Sequence, residues 1–264
     1  MPLVFACVAP HGGRLLLSPE EGCPVPLVRE AMRELGRRIT ALDIDLLVIV
    51  TPHGQLYQDA VTLSFCATAA GSTDGGEIET AVDIDFAAEW RLFAQAFNVP
   101  IIGLIGENPS DPFPLDWGVT IPYAFFSTRE LPIPIVVACP DRALPRETLV
   151  RCGEALAMAA EQSDKRIALV ASADQGHGHS EFGPYGLSTT SKDYDLRMQS
   201  AIERDALIEL MDWDESWVES ALPDSLWQTL FILGAQRHVT LVPEFLAYEV
   251  DDYFGMLCAA FQMA

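Results

Sequence analysis

Short runs of consecutive apolar residues recur along the chain, and the stretches between them carry apolar positions at helical spacing. Leu3–Ala9, Asp45–Thr51, Val61–Cys66, Pro100–Ile105, Pro134–Cys139 and Arg166–Ser172 read as strands buried on both faces. Pro26–Leu42, Phe86–Phe97 and Arg146–Ala160 read as helices, with Pro26 suited to a first turn, where its missing N–H has no partner to lose. Strands alternating with helices predict an α/β fold in which helices cover both faces of a central, mainly parallel or mixed sheet. After Ser172 the pattern changes. A polar, Gly-rich loop (173–192) leads to a helical stretch over Asp193–Leu210 and two short helices, Glu215–Leu222 and Ser225–Leu233. Two apolar runs, Val239–Tyr248 and Phe254–Phe261, follow as strands. With no repeat, low-complexity tract or linker, residues 1–264 read as a single domain.

Composition narrows the partners. Lys and Arg total 16 against 38 Asp and Glu, a formal charge of −22, so phosphate backbones would be repelled and nucleic acid is not an expected partner. An anionic substrate would need a metal ion or a local Arg to offset this field. No segment approaches the ~20 apolar residues of a membrane helix, and Met1–Pro10 lacks the basic start of a secretory leader. The six cysteines form no CxxC pair and sit mostly in apolar runs, as small buried hydrophobes do. A reduced, cytoplasmic protein is expected, with a homodimer as the commonest oligomer.

Chemistry-bearing residues are few. Two of the five histidines, His11 and His53, each follow an apolar run in the order strand, Pro, His, Gly. Pro ends the ladder and Gly lets the chain turn, so both imidazoles are delivered to a sheet edge where functional groups gather. That is half of a metal site. Asp174-Gln175-Gly176-His177-Gly178-His179 lies just past another strand, and its His-x-His could ligate a metal or supply an acid–base group. His238 reads as structural. No GxSxG elbow, P-loop or strand-linked GxGxxG is present.

These residues resemble the class III extradiol ring-cleavage dioxygenases, in particular the catalytic B-subunit type represented by the β subunit of protocatechuate 4,5-dioxygenase. The likeness is nearest to its single-chain branch, which shades into Memo-like proteins. It extends from Pro10-His11-Gly12 to Tyr248-Glu249…Phe254-Gly255. The resemblance implies a metal, Fe(2+) with zinc as the alternative, held by His11, His53 and a late carboxylate. That carboxylate is expected at Glu249, which Tyr253 follows at the family's spacing, with Glu244 as rival. It further implies that His177 is the acid–base residue, His179 being a weaker claimant. His179 and Trp117 are expected against the substrate. Two histidines and one carboxylate leave adjacent positions for substrate and dioxygen, as non-haem Fe(II) requires. The implied activity is O2-dependent opening of a catechol-like aromatic. The alternatives are a Memo-like metal-binding or signalling protein and a zinc-dependent hydrolase on the same ligands. One departure stands out: many members carry Asp-His-Gly in mid-chain, where this sequence has Asp116-Trp117-Gly118.

Overall fold

The computed structural model describes residues 3–108, 110–127 and 132–263. Its centre is an eight-stranded mixed sheet, with strands β1 (Leu3–Ala9), β2 (Leu46–Val50), β3 (Val61–Ser64), β6 (Ile101–Leu104), β8 (Ile135–Pro140), β9 (Ile167–Ser172), β10 (Leu241–Asp251) and β11 (Phe254–Met263). They lie in the order β10-β11-β1-β9-β2-β8-β3-β6. The four central strands β1, β9, β2 and β8 are mutually parallel, while β11 joins β1, and β3 joins β8, antiparallel. All eight coincide, within a few residues, with apolar runs read from the sequence.

Because side chains alternate across a strand, each strand feeds two cores. Leu46, Val48 and Val50 of β2 face one layer and Leu47 and Ile49 face the other. The first layer is covered by α2 (Ile84–Ala96), α4 (Arg146–Glu161), α5 (Thr189–Glu203), α6 (Glu215–Ala221) and α7 (Leu226–Gln236). The second lies under α1 (Pro26–Ala41) and α3 (Trp117–Phe126). Helices on both faces of a mixed sheet are what the alternation predicted.

Helices α4 and α7 meet backbone to backbone. A Cβ on Gly234 would stand 1.9 Å from the Val150 carbonyl oxygen, and one on Gly153 would stand 2.1 Å from that of Phe231. No rotamer change relieves a clash with main chain, so Gly234→Ala is expected to cost about 2–4 kcal/mol through forced helix separation. Urea denaturation, compared with an exposed Ala substitution on the same helix, measures it.

At three places the structure differs from the sequence reading. The polar stretch 67–79, to which the apolar pattern assigns no element, is a hairpin of β4 (Thr68–Thr73) and β5 (Gly76–Ala81), joined in a separate small sheet by β7 (Phe113–Pro114). The stretch read as one helix over Asp193–Leu210 breaks at Asp205, whose φ of 52° leaves the helical region; a 3-10 turn, Leu207–Asp212, follows. Helix α3 had not been read as an element, because Pro122 lies within it and its apolar positions run all round. Among the described residues, no helix is long and apolar enough to cross a membrane.

Candidate metal centre and active-site cavity

Parallel pairing of β1, β9 and β2 brings the chain segments that follow them to one edge of the sheet. His11 comes two residues after β1, His53 three after β2, and Asp174 and His177 follow β9. The His11 and His53 Nε2 atoms lie 3.0 Å apart. The side chain completing the group is Asp224, whose Oδ2 lies 3.4 Å from His11 Nε2 and 3.3 Å from His53 Nε2. These three form the one His/Cys/Asp/Glu cluster with metal-ligand spacing among the described residues.

Each member is held from behind. The His11 backbone N–H donates to Asp174 Oδ1 (3.0 Å), and its Nδ1 lies 3.0 Å from Ser172 Oγ. The His53 N–H donates to Thr51 Oγ1, which in turn donates to Asp116 Oδ1 at 2.9 Å. The indole of Trp117 lies over the His53 ring, centroids 4.4 Å apart. Asp224 follows Leu222-Pro223 in the break between α6 and α7; Leu222 takes a left-handed conformation, φ 56°, which turns the chain back toward the sheet edge. There Asp224 Oδ1 accepts the Asp174 N–H at 2.8 Å.

Charge in this buried group is strongly perturbed. Burial lowers the His11 pKa, but Asp174 and Asp224 outweigh it and leave it raised to about 9. Asp174 is pushed up to about 6 by burial and the neighbouring Asp224 carboxylate, against the opposing pull of His11. Burial alone would raise Asp224 as well, yet His11 and His53 hold it well below the usual carboxylate range. Two imidazoles and a carboxylate converging within 3.4 Å, with a second carboxylate 3.4 Å from His11 Nε2, form a donor set suited to a divalent cation.

His177 lies beside this group, its Nε2 3.9 Å from Asp224 Oδ2. Its backbone N–H donates to the Ala221 carbonyl and its ring stacks on Phe254, centroids 5.4 Å apart. Its Nδ1 is buried with no hydrogen-bond partner among the described residues. Above the group opens a cavity of about 1210 Å³, lined near its floor by His11, His53 and His177, with Trp117 and Tyr253 on its walls. The tip of the β4–β5 hairpin, Thr73–Gly76, forms part of the rim. Arg14 also lines the cavity but is bound to Asp251, its Nε donating to Oδ2 at 3.1 Å.

Sequence-derived candidates outside the cluster have other partners in the structure. Glu249 is not brought to the histidines: its Oε2 accepts the Val28 N–H at 2.9 Å, satisfying a free donor in the first turn of α1. Its rival, Glu244, pairs on the surface with Arg38. His179 is engaged by another group, its Nε2 2.8 Å from the buried Asp195 carboxylate, which also accepts from Tyr248 OH and the Gly176 N–H. His238 pairs with Glu161 at the surface. Asp224 was not singled out, because nothing in Leu222-Pro223-Asp224-Ser225 distinguishes it among 38 acids.

The model of the catalytic LigB subunit of aromatic ring-opening dioxygenase matches residues 6–250. The chain belongs to this family. Its match therefore takes in every member of the cluster, from His11 to Asp224. Among curated proteins, Protein CA_C1420 of Clostridium acetobutylicum is 23% identical over 228 residues, covering 83% of this chain and 48% of the relative. The chain thus spans about half the length of that relative. Among solved structures, the uncharacterized protein JW3007 from Escherichia coli K12 superposes with a TM-score of 0.62 at 17% identity, over 97% of this chain and 99% of the other. That likeness is one of fold.

Proposed function

We propose that this chain is a ferrous-iron extradiol dioxygenase that opens a catechol-like aromatic with O2, its metal held by His11, His53 and Asp224. Convergence of two imidazole Nε2 atoms and one carboxylate at the floor of a large cavity carries this reading. Under it, the two-histidine, one-carboxylate set expected from the sequence is kept, and the carboxylate comes from Asp224 rather than Glu249. The whole described chain acts as one catalytic domain.

Bound there, ferrous iron would supply Lewis acidity toward two vicinal hydroxyls and a site for dioxygen. The protein's own part is proton handling and orientation. His177 takes a phenolic proton at Nε2, the atom nearer the cluster, and returns it as the ring opens. Phe254, stacked on its ring, fixes the imidazole plane. Trp117 cannot carry protons near neutral pH, so this work is assigned to His177 rather than to the residue in the Asp116-Trp117-Gly118 segment. The exposed face of Trp117 offers the aromatic substrate a stacking surface. Trp117→Ala is expected to raise KM about tenfold with a smaller change in kcat, as the loss of one stacking contact predicts; steady-state kinetics on the preferred catechol measures it.

Metal-free protein loaded anaerobically with Fe(II), then given 3- and 4-substituted catechols under oxygen, should develop yellow semialdehyde absorbance that His53→Ala abolishes. Tightly bound zinc together with no oxygen uptake on any catechol would overturn the reading and favour the zinc hydrolase, since the same three ligands also suit zinc.

A further inference from the structure

We propose that Pro122 and Ser172 are positioning residues that set the tautomer of His11, acting through a chain of hydrogen bonds that starts inside α3. The inference rests on the metal reading only in the final link, where the His11 Nε2 lone pair meets a cation.

The chain begins with a missing donor. In an α-helix the carbonyl of residue 118 accepts the N–H of residue 122, but residue 122 is proline and has no N–H. The Gly118 carbonyl is buried at the first turn of α3 and takes its hydrogen bond from the Ser172 hydroxyl at the end of β9. A carbonyl can only accept, and a hydroxyl has one proton to give. Ser172 Oγ therefore spends its proton on Gly118 and faces His11 Nδ1, 3.0 Å away, as an acceptor. Nδ1 must then carry the hydrogen, which leaves the Nε2 lone pair of the neutral ring directed toward His53 and Asp224. Were Ser172 free to rotate, it could donate to Nδ1 instead and place the hydrogen on Nε2, where it would block a ligand position.

The geometry admits few substitutes. Ser172 is fully buried, so water does not compete for its hydroxyl. Gly118 has no room for a side chain, since a Cβ there would lie 2.4 Å from Thr51 Oγ1. The same first turn carries Trp117 over His53 and Asp116 against Thr51, so one helix end orients both histidines.

A helix-interior proline also has a bland account, as a local defect. The two accounts predict opposite couplings for Pro122→Ala. Restoring an N–H at 122 gives Gly118 its helical partner and should raise Tm. If Pro122 sets the tautomer, the same variant releases Ser172 and should weaken zinc binding several-fold.

The experiment measures zinc affinity by competition with a chromophoric chelator, Tm, and the histidine tautomers by long-range 1H–15N NMR of the metal-free protein at alkaline pH, where imidazoles are neutral. Wild type is expected to show His11 protonated at Nδ1, identified by loss of its signal in His11→Gln. Ser172→Ala should weaken zinc binding by about 10–100-fold, the usual cost of removing a ligand's outer hydrogen-bond partner, and should mix the tautomers. Ser172→Thr, which keeps the hydroxyl, should restore both. If Ser172→Ala fails to fold, Pro122→Ala carries the test. Wild-type His11 found protonated at Nε2, or Pro122→Ala with raised Tm and unaltered tautomer and zinc affinity, would overturn the proposal. Wild type with the expected tautomer but with zinc binding insensitive to His53→Ala would instead overturn the metal assignment and leave the tautomer relay standing.

Discussion

Asp224→Asn is expected to weaken divalent-metal binding by at least about 100-fold, while Glu249→Gln leaves it unchanged. The magnitude follows because disturbing an outer partner of a ligand already costs about 10–100-fold, and removing the charged donor itself costs no less. Asparagine preserves the shape and the acceptor facing the Asp174 N–H, so the loss reads charge and ligation rather than collapse of the turn. Glu249 serves α1 instead, and its neutralisation weakens one hydrogen bond in the first turn of that helix. Calorimetric titration of the metal-free variants with zinc decides between them. The reverse outcome would show the carboxylate to be wrongly assigned. The same titration carries a pH signature. A ligating imidazole must be unprotonated, and His11 holds its proton up to about pH 9 in the metal-free protein. Apparent affinity is therefore expected to rise with pH and level off near 9, with about a tenfold loss per unit below it.

His177→Gln is expected to lower kcat for ring opening by about 10²–10⁴-fold, the usual worth of a positioned general acid–base group, with metal content unchanged. Glutamine can fill the slot against Phe254 and offer hydrogen bonds, but it cannot exchange a proton near neutral pH. His179→Gln should behave differently. His179 is bound to Asp195 and holds the loop behind His177, so its loss should appear chiefly in stability. Metal analysis beside single-turnover kinetics separates the two. An active His177→Gln, or an inactive His179→Gln of normal stability, would reverse the roles.

What the sequence could and could not reveal follows from the range of each signal. Strands β1, β2 and β9 are buried on both faces and read as unbroken apolar runs, so the sheet and the edge carrying His11, His53 and His177 were legible. The Pro-His-Gly context marked both imidazoles because a strand must stop and turn to present them. Asp224 had no such mark: it enters through a left-handed Leu222 and a Pro between two short helices, a path set by tertiary packing. Glu249 matched a spacing to Tyr253, and Tyr253 does line the cavity. Spacing alone does not fix which way a strand residue points, and β10 turns Glu249 toward α1. The β4–β5 hairpin was missed because its residues are polar and partly exposed, with no apolar run to betray the pairing.

The position of β1 has a consequence for synthesis. It lies between β9 and β11, with Phe5 opposite Gln262 on one side and Cys7 opposite Val170 on the other. This strand thus gains both neighbours only once the chain through β11 has been made. Until then the His11 turn has no frame, and Asp224 and His177 have nothing to meet. Under the proposed metal reading, the cluster is complete only late in synthesis, and a growing chain would offer cations no finished site.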